Sequence, residues 1–174
     1  MADHLEYPES QAEHQAGRGL SDDPNLGQVI PLELASRQQW VGHKNKHPID
    51  PATGQRASTT KPSTWGSFRQ AIAAVERFGL DGVGFVFTSD DPYCGVDLDD
   101  AIDADGTMKL WARSIIERLD GYTEYSQSGT GLHVIVRATK PAGPNRRDIE
   151  DGHIEIYDRA RFFVVTGRPL EVSA

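Results

Sequence analysis

Two aspartates one residue apart, Asp97 and Asp99, end the run Tyr93-Cys94-Gly95-Val96-Asp97-Leu98-Asp99-Asp100. In an extended chain successive side chains point to opposite faces. The pair therefore projects from one face, with Val96 and Leu98 on the other. Carboxylates held this close repel unless a cation sits between them, and oxygen donors at such spacing suit Mg²⁺ or Mn²⁺. The plainer alternative is a strand end running into a solvated acidic turn.

Two further groups carry chemistry. In Ser126-Gln127-Ser128-Gly129-Thr130-Gly131-Leu132-His133, Gly129 and Gly131 let the backbone approach a ligand and offer N–H groups to an anion. Ser128 and Thr130 add hydroxyls, and His133 opens the next strand; such a loop suits a triphosphate, the alternative being an ordinary glycine hairpin turn. In His153-Ile154-Glu155-Ile156-Tyr157 the isoleucines face one way and His153, Glu155 and Tyr157 the other. If that strand neighbours the Asp97 strand, Glu155 supplies a third carboxylate; otherwise it is an exposed strand with polar outer positions. Arg161, entering the apolar strand Arg161 to Thr166, is a candidate phosphate clamp or a solvated strand end.

The positioning elements follow from periodicity. Pro31 to Ala35 suggests a short helix with proline in its first turn, and Trp40-Val41 begins a strand. Lys44 to Thr60 reads as a polar loop whose lysines, Lys46 among them, are solvated. Phe68, Ile72, Val75 and Phe78 recur at helical spacing between Ser67 and Gly79, a capping serine and a terminating glycine. Gly82 to Phe87 reads as a buried strand, turned back at Ser89-Asp90-Asp91-Pro92 into a hairpin that delivers the aspartates. Met108 to Leu119 predicts a second helix with Leu110, Trp111, Ile115 and Leu119 as its apolar stripe. Strands at 122–126, 132–136, 153–157 and 161–166 complete a pattern in which strands outnumber helices. The expectation is an α+β domain of two layers, a mixed or antiparallel sheet with helices on one face.

The 174 residues suffice for one domain with a core, 29–174, preceded by an acidic tail, 1–28, expected to be disordered or loosely docked. The lone Cys94 excludes an internal disulfide and any multi-cysteine zinc module. No apolar run approaches a membrane span and no signal-peptide pattern follows Met1, so a cytoplasmic location without membrane partners is the expectation. The net charge of −8 is concentrated: residues 1–28 and 90–105 hold half of the acidic residues and only one base, Arg18, which leaves the remainder net basic and compatible with a nucleic-acid partner.

Taken together, an acidic pair, a Ser/Gly/His loop and a lone glutamate on three strands describe metal-assisted nucleotidyl transfer. At these residues the chain resembles the archaeo-eukaryotic primase superfamily, in its primase–polymerase (prim-pol) branch from phage and plasmid replication. Asp97-Leu98-Asp99, the Ser128 to His133 element and Ile154-Glu155 follow that family's three motifs in order and spacing. Lys46-x-Pro48, Pro51-x-Thr53-Gly54, Thr64-Trp65, Gly82-x-Gly84-Phe85-Val86-Phe87 and Arg161-Phe162-Phe163…Thr166-Gly167 are similar too, so the likeness covers about residues 38–168. The resemblance implies a core related to the RNA-recognition fold and a two-metal Mg²⁺ or Mn²⁺ site on Asp97, Asp99 and Glu155. It places Ser128 and His133 on the phosphates of an incoming nucleotide, with Gly129 and Gly131 beside them, and Arg161 and Lys46 as further triphosphate or template contacts. Single-stranded or primed DNA and nucleoside triphosphates are the implied partners. Many such proteins continue into a helical accessory domain and a helicase, so this chain is expected to be the N-terminal part of a longer protein or a minimal core. The zinc-binding insert of some relatives is absent, which favours primer extension over unaided initiation.

Rival readings are a calcium loop, a nicking endonuclease and a non-catalytic module. Asp103-Ala104-Asp105-Gly106 mimics part of an EF-hand, but the required end positions are Ala101 and Ala112. A rolling-circle nicking endonuclease wants paired histidines on a strand and a tyrosine on a helix, whereas His133 and His153 are single and Tyr157 lies on a strand. An RNA-recognition-type binding module would show aromatics, rather than carboxylates, on its open sheet face.

Overall fold

The computed structural model describes residues 29–170; the acidic tail, 1–28, and residues 171–174 lie outside the described residues. In chain order come α1 (Leu32–Ala35), β1 (Trp40–Lys44), β2 (His47–Ile49), α2 (Phe68–Phe78), β3 (Gly82–Phe87), β4 (Tyr93–Asp99) and α3 (Leu110–Leu119). They are followed by β5 (Tyr122–Tyr125), β6 (Leu132–Arg137), β7 (Arg146–Ile149), β8 (Gly152–Tyr157) and β9 (Arg161–Val165). The fold class is α+β, as expected. Its strands form two antiparallel sheets, ordered β2-β1-β3-β9 and β5-β6-β4-β8-β7.

The expected hairpin between β3 and β4 does not form. The two strands belong to different sheets, and residues 88–92 carry the chain across. Asp91 holds this crossing: its carboxylate accepts from the backbone N–H of Thr88 at 3.0 Å and of Tyr93 at 2.7 Å, and from the Gln39 amide at 2.6 Å. A side chain therefore satisfies backbone donors that a hairpin ladder would have used. Residues 158–160 cross back between β8 and β9. The polar stretch after Lys44 also contains more order than its composition suggests. Asn45 and Lys46 take positive φ values of 49° and 59° and turn β1 into the short strand β2.

Helix α2 has the anticipated ends. The Ser67 hydroxyl accepts from Gln70 N–H at 3.2 Å, the Gln70 side chain accepts from Ser67 N–H at 2.8 Å, and Gly79 closes the helix at φ 60°. Its buried face packs Ala71 and Val75 against Trp40, Val83 and Phe85. Phe85 and Phe87 are fully buried, each worth about 1.5–3 kcal/mol relative to exposure. On α3 the inward face is Trp111, Ala112 and Ile116, with Ile115 and Leu119 half-buried at its margin. Leu110, expected in the stripe, is 82% exposed, because Trp111 takes the inward position at the helix start.

The five-stranded sheet has two unlike faces. Val96, Leu98, Leu132, Val134, Ile154 and Ile156 pack under α3. On the other face, the end near Tyr93 and Gly95 meets aromatics of the four-stranded sheet. A Cβ on Gly95 would lie 2.5 Å from Phe87 Cζ and 2.6 Å from Phe163 Cε2, so only glycine lets the sheets approach here. The same face beyond Gly95 carries Asp97 and Asp99.

Candidate active site

Antiparallel register builds the site. Glu124 on β5 lies opposite His133 on β6, His133 opposite Asp97 on β4, Asp97 opposite Glu155 on β8, and Glu155 opposite Arg146 on β7. One row of acid and base thus runs across all five strands. Two residues along β4, Asp99 pairs with His153. The expected adjacency of the Glu155 and Asp97 strands is present.

Asp97 sits at the centre. Its Oδ1 is buried with no hydrogen-bond partner among the described residues, 3.7 Å from His133 Nε2. Burial pushes its carboxyl above its ordinary value; His133 opposes that, and Asp99 and Glu155 add to it. Asp99 Oδ2 is 2.6 Å from His153 Nε2. Glu155 accepts from the Tyr157 hydroxyl at 2.9 Å and faces two guanidiniums, Arg161 at 3.6 Å and Arg146 at 3.9 Å. Arg161 also lies over the Tyr157 ring, 4.6 Å from its centroid.

His133 is held on three sides. Its ring stacks on Phe163 with centroids 4.9 Å apart. Its Nδ1 is 3.0 Å from the Val164 carbonyl, which can only accept, so Nδ1 carries the proton. Glu124 Oε1 lies 3.7 Å from the same nitrogen. Burial alone would lower the pKa of His133, but Glu124 and Asp97 outweigh it and the net shift is upward. The imidazole is thereby biased toward its cationic form.

Glu124 carries no motif that sequence reasoning would single out. It is 1% exposed, accepting from the Tyr122 hydroxyl at 2.8 Å and from the backbone N–H groups of Thr166 at 2.8 Å and Gly167 at 3.0 Å. The one signal toward it is the tight 126–131 loop: once Ser126 and Gly131 close it, Glu124 must face His133. His153 is legible on the Glu155 face, but only the register gives it a partner, Asp99. Arg146, in a stretch with the composition of a basic loop, lies on the edge strand β7.

In the 126–131 loop, Gly129 has φ 82° and open space around it, and Gly131 lies against the Leu98 carbonyl, 3.0 Å from where a Cβ would be. The Ser128 hydroxyl is 3.1 Å from that of Ser126 and 3.0 Å from that of Thr130. The Arg168 guanidinium donates to the Ser126 carbonyl, which puts a further cation at this loop. The loop therefore adjoins the Asp99 end of the acidic pair. Lys46 is placed apart, exposed in the β1–β2 turn on the opposite edge of its sheet from β9.

The donor set fits a divalent cation. Asp99, His153 and Glu155 each present a ligand atom, all within 4.8 Å of one another, and the orphaned oxygen of Asp97 lies in the same row as Glu155. No family model matches the chain. Over 145 residues it is 38% identical to the DNA primase-polymerase of Nitratiruptor phage NrS-1, an alignment spanning 79% of this chain and 20% of that protein. The chain belongs to the prim-pol branch of the archaeo-eukaryotic primases. This prim-pol chain thus corresponds to about one fifth of the phage protein's length. Among its described residues no helix is long and apolar enough to cross a membrane.

Proposed function

We propose that this chain is the nucleotidyl-transfer core of a DNA-dependent primase–polymerase, extending a primer 3′-hydroxyl with nucleoside triphosphates. The observation that carries this reading is the β6-β4-β8 register, which brings His133, Asp97 and Glu155 side by side with Asp99 at the next position. Asp97, Asp99 and Glu155 would hold Mg²⁺ or Mn²⁺. When bound, such ions acidify an attacking hydroxyl and neutralise a leaving pyrophosphate.

The chain's own groups do the rest. His133, biased toward its cationic form and clamped by Phe163 and Val164, binds a phosphate oxygen without having to reorganise. The Ser128 and Thr130 hydroxyls hold the triphosphate beside it, which fixes the reacting atoms in line; the N–H groups of Gly129 and Gly131 are already donated within the turn, to the Ser126 carbonyl and hydroxyl. Arg161, at the rim beside Glu155, offers a fork to the same phosphates. Lys46 is assigned to the template strand, since it stands away from this cluster.

The nicking-endonuclease reading gains no support. The two histidines sit on different strands, and the Tyr157 hydroxyl is committed to Glu155. The test is extension of a labelled primer–template by the chain with Mg²⁺ or Mn²⁺, beside Asp97→Ala. Template-directed products that vanish in the variant support the proposal. Products unchanged in Asp97→Ala, or none from the folded chain at any template, would overturn it.

A further inference from the structure

The metal-binding corner of the site contains a residue that the three motif carboxylates do not include. Asp97 and Asp99 are two apart on β4, and His153 and Glu155 are two apart on β8. The register sets Asp97 opposite Glu155 and Asp99 opposite His153. All four side chains share one face, so they mark the corners of a rectangle. Directly opposed Cβ atoms lie about 4.5–5.5 Å apart in such a pair. The tightest set of donor atoms in it is Asp99, His153 and Glu155. Asp97 instead turns one oxygen toward His133.

We infer that His153 is a metal ligand, and that it biases this site toward Mn²⁺ over Mg²⁺. The inference rests on the nucleotidyl-transfer reading for the presence of a metal, and goes beyond it in naming the donor and the ion. Mg²⁺ is hard, keeps its waters and strongly prefers oxygen; Mn²⁺ is the weakest imidazole binder of the first-row divalent ions, yet it takes nitrogen more readily than Mg²⁺ does. A three-carboxylate site has no such preference built in. Here one corner is nitrogen, half-buried at 19% side-chain exposure, with its Nε2 already 2.6 Å from the Asp99 oxygen that would share the ion. The alternative role for His153 is a plain ion pair with Asp99, which requires no metal and confers no selectivity.

The two roles separate spectroscopically, without reference to catalysis. Mn²⁺ is titrated into the 174-residue chain, and electron spin-echo spectra of the bound ion are examined for nitrogen hyperfine modulation. Modulation is expected in the wild type and in His133→Gln, and absent in His153→Gln. Mn²⁺ affinity should fall about tenfold or more in His153→Gln, with Mg²⁺ affinity changing by less than about threefold. His153→Asp, which restores an oxygen donor, should bind both ions with the Mn²⁺ preference removed; it also answers for the case in which the glutamine variant misfolds. Bound Mn²⁺ without nitrogen modulation in the wild type would overturn the role of His153 while leaving the metal reading intact. Failure of the folded wild type to bind Mn²⁺ at all would overturn both.

Discussion

Replacing Asp97 by asparagine is expected to make the metal-free protein more stable while removing its activity. Three terms compete. The attraction between Asp97 and cationic His133 at 3.7 Å is worth about 4 kcal/mol at an effective dielectric near 20. Repulsion from Asp99 and Glu155, at about 5–7 Å by strand geometry, costs about 2–3 kcal/mol each. These nearly cancel, which leaves the extra cost of burying the unpartnered oxygen as part of a charge rather than of a neutral amide, about 1–3 kcal/mol, to decide the sign. The upward shift of the Asp97 carboxyl, caused first by burial, points the same way. Asp97→Asn should therefore gain about 1–3 kcal/mol in EDTA, or about 2–4 °C in Tm per kcal/mol for a chain of this size. Mn²⁺ should invert the order: at about a hundred times its Kd it adds about 2.7 kcal/mol to the wild type and little to the variant. Urea unfolding of both proteins, in EDTA and in Mn²⁺, reads all four values. An asparagine variant less stable than wild type in EDTA would refute the reasoning, because it would mean the His133 attraction outweighs burial and repulsion together.

Three further outcomes follow from the same geometry. Gly95→Ala should cost about 1–3 kcal/mol in chemical denaturation, since its methyl would meet Phe87 and Phe163 at about van der Waals overlap. Glu124→Ala should lose about 3–5 kcal/mol, because it orphans the N–H groups of Thr166 and Gly167 and removes one of the two carboxylates beside the buried His133. The pKa of His133 is raised, so its contribution to stability is fully present below the ordinary value of 6.5 and is lost as pH rises through the folded value. Unfolding free energy measured from pH 6 upward should therefore fall in the wild type and flatten in His133→Gln.

Much of the site is legible in the sequence because period-two alternation assigns faces without knowledge of the partner strand. Local spacing alone puts Asp97 with Asp99, and Glu155 with His153. The glycine loop is legible for the same local reason. Pairing across the chain is not. Ser89 to Pro92 has the composition of a hairpin turn, yet Asp91 uses its side chain to steer the strand into a different sheet, a choice made by Gln39 far upstream. Glu124 looks like one polar residue in a short strand, and only the C-terminal segment folding back onto it reveals why a carboxylate is buried there. On α3, an apolar residue at the helix start fits the stripe by spacing but faces solvent, because Leu110 and Trp111 compete for one inward position.

The charged row has a consequence for how the chain reaches its fold. Strand pairing can slip, and a slip of one residue sends every side chain to the opposite face. For β4, that would drive Asp97 and Asp99 into the apolar layer beneath Trp111 and Ile116, a penalty of several kcal/mol per unpaired charge. A slip of two keeps the faces but takes His133 and Glu155 away from their places on either side of Asp97. The residues that give this sheet its chemistry thus also act as its alignment key during folding. Variants that neutralise several of them at once are expected to refold into mixed registers and to aggregate, beyond what the same substitutions do singly.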